Sequence, residues 1–280
     1  GELFDQKEKY YLYDLFKTTY FWADYFQDKA YTQYSNPKDM VKDFRYQELV
    51  KWSFVETFND YMANSTQMTS GFGCRYSSGT IINLRIGSPC ETSGFQRGDK
   101  VTQINSVNIT NESYRDAAKN LGVEVTFTVV RNGVTKYIKI TPKEYTYKVS
   151  KKNIITLEDN TKVGYMIYDS FTARSTEEID ETFTYFKDNN IKELIIDLRY
   201  NGGGSVNTAS YLLDKIAGQQ TGQLQYYTNW NSNNQNENES EYFQKTDNSV
   251  NISRVFFLTS EDSASASEMV INALKPYMDV

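Results

Sequence analysis

Leu194-Ile195-Ile196-Asp197-Leu198 runs directly into Arg199-Tyr200-Asn201-Gly202-Gly203-Gly204, and this stretch decides the fold. The first five residues are mostly apolar and do not alternate. They are too few for a helix and read as a strand buried on both faces. The three glycines then let the backbone bend sharply and present bare N–H groups. Alone, this bend has two readings: a phosphate cradle or a tight strand-to-helix turn. The phosphate reading lacks the Lys-Ser/Thr that a P-loop requires.

Outward from this strand the chain alternates. Val163 to Ile167 reads as a strand. Ser175 to Asn189 reads as a helix, with Ser175 and Glu178 set as a capping box. Thr208 to Ile216 is another helix, and Val255 to Thr259 a second buried strand. Short apolar strands alternating with helices predict an α/β layer fold with parallel pairing. Between them, Thr228 to Asn251 is rich in Asn, Ser and Glu and reads as a long exposed loop.

Open α/β sheets place ligands beyond the ends of their strands. The second strand ends in Thr259-Ser260-Glu261-Asp262-Ser263-Ala264-Ser265-Ala266-Ser267-Glu268, and an apolar helix follows from Met269 to Leu274. A serine at a helix mouth lies in a positive backbone field that favours an oxyanion. The plainer reading is capping, with one of these serines as N-cap and Glu268 completing a box. Taken together, the two strand ends could supply a nucleophile and its backbone donors from adjacent elements.

Upstream, residues 71–146 carry short strands and glycine turns. Thr80 to Leu84 and Lys100 to Ile104 are strands, and Gly94, Gly98-Asp99 and Asn105-Ser106 mark turns. Asn111 to Leu121 is a helix capped by Thr110 or Asn111. Glu124 to Val130 and Thr135 to Ile140 form a hairpin about Asn132-Gly133. Residues 8–65 read as helical. Leu12, Leu15, Phe16, Thr19, Trp22 and Phe26 share one face, Ser35-Asn36-Pro37 makes a break, and a second helix follows around Leu49 to Tyr61.

Composition narrows the chemistry. The chain has 280 residues, enough for two or three domains, and no histidine. That removes Ser-His-Asp and Cys-His catalysis and most transition-metal sites, so a nucleophilic hydrolase would need another base, chiefly a lysine of depressed pKa. A net charge of −6 argues against nucleic acid or an anionic membrane as partner. No run is long enough to span a bilayer, and Gly1-Glu2-Leu3 reads as a trimmed start with no signal peptide. Cys74 and Cys90 suit no zinc motif; they read first as two small buried thiols, with a disulfide as the alternative.

Asp197–Gly204 followed by Ser263-Ala264-Ser265-Ala266-Ser267-Glu268 resembles the C-terminal processing, or tail-specific, serine peptidases. Gly94 to Asn105, preceded by Ser88-Pro89-Cys90-Glu91, resembles the PDZ domain those enzymes carry. The resemblance runs from about residue 70 to the end, and the aromatic helical head is similar to versions from Bacteroidetes-type bacteria. It implies a multidomain α/β protein. A helical segment would cover residues 1–68, a β-rich PDZ domain with helices 69–146, and an α/β catalytic core of the ClpP/crotonase-like kind 147–280.

By that resemblance Ser265 is the nucleophile of a Ser/Lys dyad. The Ala266 N–H and a glycine N–H, Gly203 first and Gly202 next, form the oxyanion hole. Gly71-Phe72-Gly73 would take a substrate's C-terminal carboxylate on its amides. The peptide would add as a strand beside Cys74 to Ser77, with the helix from Asn111 to Leu121 as the other wall. Cys90 stands where the family often has alanine, in keeping with a buried thiol. The family's lysine, and the polar residue that orients it, would fall beyond Val280. Lys275 lies about 15 Å along the helix from Ser265 at 1.5 Å per residue, too far to serve. The printed chain is therefore expected to be truncated and to lack hydrolytic activity by itself.

The resemblance further implies protein or peptide substrates with free C-termini, no cofactor, and export to the bacterial periplasm or cell envelope, with attachment through an N-terminal lipid anchor. The alternatives are a catalytically inactive PDZ-containing peptide-binding protein and a related fold that holds small hydrophobic ligands.

Overall fold

The computed structural model describes residues 2–46 and 53–280. The chain divides into two compact units, Gly1–Tyr61 with Leu224–Tyr242, and Met62–Gln223 with Phe243–Val280. In the first unit, α1 (Glu2–Thr18) stops short of Trp22 and Phe26. The chain then turns through a short 3-10 segment at Ala23–Tyr25, and Phe26 still packs on the cluster of Phe16, Met40, Val41 and Phe44. The break at Asn36-Pro37 is a helix start: Asn36 accepts from the Asp39 N–H at 2.9 Å and Pro37 opens α2 (Pro37–Phe44). Part of the helix expected over Leu49 to Tyr61 lies outside the described residues. The observed helix, α3 (Phe58–Thr66), starts later because Thr57 accepts from the Asp60 N–H at 3.1 Å.

The next stretch is β-rich. It contains β1 (Met68–Gly71), β2 (Cys74–Ser77), β3 (Thr80–Leu84), α4 (Pro89–Thr92), β4 (Lys100–Ile104) and β5 (Val107–Asn108). After these come α5 (Asn111–Lys119), β6 (Val125–Arg131), β7 (Val134–Ile140) and β8 (Lys143–Thr146). The strands order β2-β3-β4-β6-β7, all antiparallel, with β5 beside β4, while β1 and β8 form a separate ribbon. Asn132 and Gly133 both take positive φ, which matches the turn to the twist of β6 and β7. Phe72, Ile81, Phe127 and Val129 fill the core beneath. Cys74 and Cys90 are joined in a disulfide across a Cα separation of 5.6 Å. This corrects the expectation of two thiols: the turn after β3 brings α4 back onto the start of β2, within bridging range.

A four-stranded sheet follows, ordered β14-β11-β10-β9. Its strands are β9 (Ser150–Thr156), β10 (Lys162–Tyr168), β11 (Glu193–Asp197) and β14 (Val255–Leu258). The pairs β10-β11 and β11-β14 are parallel and β9 is an antiparallel edge, so the expected parallel layer is present. Helices α6 (Thr176–Asp188), α7 (Val206–Ile216) and α8 (Ala266–Leu274) bury Phe183, Leu212 and Val270 with Leu194 and Ile196 in one core.

Two local expectations fail here. Ser175 and Glu178 do not form a capping box. The Ser175 hydroxyl meets Tyr168 and the Thr172 carbonyl, both at 2.6 Å. Glu178 turns inward and accepts from Gln67 Nε2 at 2.7 Å and from the N–H groups of Val149 and Ser150 at 3.0 and 2.8 Å. Buried amides at the start of β9 are a better match for a carboxylate than a solvated helix end. Nor is Thr228 to Asn251 simply a loop. β12 (Leu224–Thr228) and β13 (Glu239–Tyr242) pair as a hairpin, and Asn231 donates to the carbonyls of Thr18 and Tyr20 at 3.0 and 2.9 Å. Among the described residues no helix is long and apolar enough to cross a membrane.

Candidate active site

The parallel register pairs Asp197 with Leu258, so β11 and β14 end at one level. Their following segments, Leu198–Gly204 and Thr259–Ser265, therefore leave the sheet side by side. Hydroxyls tie the two together. Ser263 donates to the Leu198 carbonyl at 2.7 Å and Ser260 donates to the Arg199 carbonyl. The Asn201 carbonyl accepts from the Ala264 N–H at 3.3 Å and from the wholly buried Ser267 hydroxyl at 2.9 Å. Of the three alternating serines, the outer two are fasteners.

Ser265, between them, is exposed. It occupies the N-cap position of α8 with φ +56° and ψ −115°, a conformation costly for any side-chain-bearing residue. The tethers on either side supply what holds it there. Glu268 accepts from the Ser265 N–H at 2.8 Å, which is the carboxylate half of the expected capping arrangement. The serine thus stands at the mouth of an apolar helix and in its positive field.

Gly203 packs directly against it. A Cβ on Gly203 would lie 2.8 Å from Ser265 Cβ, 2.9 Å from the Ala264 carbonyl and 3.2 Å from the Ala266 nitrogen, and φ is +105°. Only glycine satisfies both conditions. The bend is held from behind. Asn201 is fully buried, donates to the Tyr168 carbonyl at 2.9 Å and accepts the Gly203 N–H at 2.8 Å. Phe171 donates to the Gly203 carbonyl at 3.0 Å and accepts from the Ser205 N–H at 2.8 Å. The Gly203 N–H is therefore engaged. Among the described residues neither the Gly202 nor the Ala266 N–H reaches a backbone carbonyl.

Charges sit around this bend, not in it. Burial pushes the Asp197 carboxyl up, but the bidentate Arg199 guanidinium (2.9 and 2.6 Å) and the Tyr165 hydroxyl (2.8 Å) outweigh it and hold it below the usual range. Asp169, after β10, goes the other way, to about 6: burial dominates, the Asp197 charge adds to it and Arg85 opposes it. Lys275 donates to Asn272 at 3.0 Å at the far end of α8 and is not a partner of Ser265. No cluster suited to a metal ion occurs among the described residues.

The other expected site residues follow β1. Gly71 and Gly73 take φ of +108° and +78°, flanking the buried Phe72. A Cβ on Gly73 would meet Ser88 and the Tyr145 hydroxyl below 3 Å. Helix α5 lies along β2. Gly71 faces Ala118, and Tyr114 donates its hydroxyl to the Cys74 carbonyl at 2.9 Å while stacking on Tyr76 at 4.7 Å. A cavity of about 500 Å³ connects Gly73 and Cys74 with Ser170 and Tyr200, the residue before Asn201. The structure thus joins Ser265, Ala266, Gly202 and Gly203 at one place and Gly71–Cys74 at another. The roles of Asn201, Ser263, Ser267 and Tyr114 were not assigned from sequence. Serine at both flanking alternate positions was the one available signal.

Comparisons with known proteins agree with this layout. Residues 162–278 match the model of peptidase family S41. A probable CtpA-like serine protease of Staphylococcus aureus strain N315 is 27% identical over 202 residues, covering 68% of this chain and 37% of that protein. That of the bovine strain RF122 is 24% identical over 274 residues, covering 91% and 51%. The chain thus spans about half or less of the curated relatives it matches. Among solved structures, a putative S41 protease from Bacteroides fragilis superposes with a TM-score of 0.80 at 22% identity, covering 96% of this chain and 76% of that one. The photosystem II D1 C-terminal processing protease gives 0.52 at 15%, covering 97% and 78%. The mixed α/β fold is that of S41 proteases.

Proposed function

We propose that this chain belongs to peptidase family S41 and carries the nucleophile and oxyanion donors of a serine endopeptidase that cleaves proteins captured by their C-terminal tails. The observation that carries this function is Ser265: exposed, conformationally strained, at a helix mouth, with the Gly203 backbone in van der Waals contact. Strain persists where the surroundings over-determine it, and such positions cluster at reacting groups. The Ser265 hydroxyl attacks the peptide carbonyl. Its proton passes to a neutral lysine outside these 280 residues and then to the departing amine. An acyl-enzyme remains, and water cleaves it. The Ala266 N–H is one oxyanion donor. Because Asn201 engages the Gly203 N–H, Gly202 is the favoured second donor, and Gly203 serves only if Asn201 releases it.

Residues 69–146 are proposed to be the PDZ domain, after a helical segment at 1–68 and before a core at 147–280. The positive-φ loop Gly71-Phe72-Gly73 and the contacts of α5 with β2, Ala118 near Gly71 and Tyr114 on Cys74 and Tyr76, support this. The substrate's terminal carboxylate would sit on that loop and its strand would extend β2. Export to the bacterial cell envelope is proposed on the Cys74–Cys90 disulfide, which persists in oxidising compartments.

The test uses the full-length protein and a peptidyl phosphonate that reacts with activated serines. Labelling located at Ser265 and lost in Ser265→Ala supports the peptidase. Tail peptides that bind while Ser265 stays unlabelled would establish the inactive peptide-binding protein instead.

A further inference from the structure

Side chains of β2 alternate: Cys74 and Tyr76 pack on the core and Arg75 is exposed on the opposite face. On β3 the register sets Asn83 opposite Arg75, and Arg85 follows two residues later on the same side. This outward face forms one wall of the 500 Å³ cavity, and Asp169 and Tyr200 belong to the other. Arg75 has no ion-pair or hydrogen-bond partner among the described residues. Arg85 is steadied by Tyr147, its guanidinium 4.5 Å from the ring centroid. Lys148 also lines the cavity, but it lies 3.5 Å from Glu181. Two guanidinium groups, Arg75 free among the described residues and Arg85 held between Tyr147 and Tyr145, thus line the cavity with one carboxylate, Asp169, in a protein whose net charge is −6. A fixed guanidinium in a cavity is suited to carboxylate recognition.

A peptide added along the free edge of β2 would alternate in the same way. Its last residue and the one two before it would face α5. The penultimate residue, and the one two before that, would face the side where Arg75 stands. We infer that this cavity is a specificity subsite, in which Arg75 and Arg85 select peptide tails bearing an acidic side chain at the penultimate position. The assignment rests on tail capture along β2 as proposed above.

The experiment is fluorescence anisotropy with full-length Ser265→Ala protein, which leaves the probe uncut. Labelled decapeptides differ only in Glu, Gln or Lys at the penultimate position. The Glu tail is expected to bind about tenfold tighter than the Gln tail at low salt, with the Lys tail weakest. The ratio should shrink in 0.5 M salt, where the Debye length falls to about 4 Å from about 30 Å in 10 mM buffer. The double variant Arg75→Gln with Arg85→Gln is expected to bind Glu and Gln tails equally while keeping the wild-type affinity for the Gln tail, which also reports an intact groove. Equal binding of Glu and Gln tails by the protein with both arginines overturns the subsite and leaves tail capture standing. Binding of no tail overturns both.

Discussion

The Ser267 hydroxyl and the Asn201 carbonyl meet at 2.9 Å in the interior, bolting the segment after β14 to the bend after β11. This one bond couples the backbone that carries Ser265 to the Gly202–Gly204 bend. Replacing Ser267 by alanine removes it and leaves the carbonyl only the longer Ala264 N–H bond. The expected loss is about 1 kcal/mol of stability. The cleavage rate of the full-length enzyme should fall at unchanged KM, read from urea unfolding and steady-state kinetics.

Asn201 holds the bend on two sides, so Asn201→Ala should cost more, about 2 kcal/mol, because the Tyr168 carbonyl and Gly203 N–H both lose buried partners. Asn201→Asp keeps the acceptor and loses the donor. It should retain the Gly203 contact and recover part of the activity. Equal kinetics for the two variants would remove the positioning role.

Gly203→Ala should abolish cleavage, by about 100-fold or more, since its Cβ would enter the space of Ser265 Cβ and the Ala264 carbonyl. Gly202→Ala meets only the Asp262 carbonyl at 3.9 Å and should fold normally. Circular dichroism with phosphonate labelling separates misfolding from a spoiled donor.

Tyr114→Phe frees the Cys74 carbonyl on the edge of β2 where a tail would pair. Losing a competing bond of about 1 kcal/mol should tighten tail binding about fivefold. Weaker binding would mean that the hydroxyl contacts the peptide instead.

Asp169 carries a pH signature. Its carboxyl is raised to about 6 by burial. The folded state therefore holds this proton more tightly than the unfolded chain. The stabilisation is full below about pH 4 and is lost as pH rises through about 6. Relative to Asp169→Asn, the wild type should lose up to about 3 kcal/mol between those limits. Urea midpoints of the two proteins across pH 4–7.5 give the difference, and a flat difference would contradict the assignment.

Sequence reading succeeded where local rules govern. The buried run at Leu194, the Asn132-Gly133 turn and the strand–helix alternation all follow from backbone preferences that neighbouring residues fully determine. It failed where partners are distant. Glu178 is claimed by Gln67, and the Gly203 N–H by a side chain two residues back whose orientation depends on Tyr168. The strand Glu239–Tyr242 is polar on a mostly exposed hairpin, so its composition copies that of a loop. Two cysteines sixteen residues apart look the same whether bridged or free, until β3 and α4 fold back.

The hairpin of β12 and β13 belongs to the same compact unit as the first helices, although Met62–Gln223, part of the other unit, is encoded between them. Asn231 satisfies the carbonyls of Thr18 and Tyr20, which close the end of α1. As the polypeptide leaves the ribosome, that helical head must wait, incompletely sealed, until the hairpin emerges. Its maturation is therefore delayed by the intervening residues, and an arrested nascent chain ending before Leu224 should leave the end of α1 without the Asn231 cap and open to proteases and chaperones.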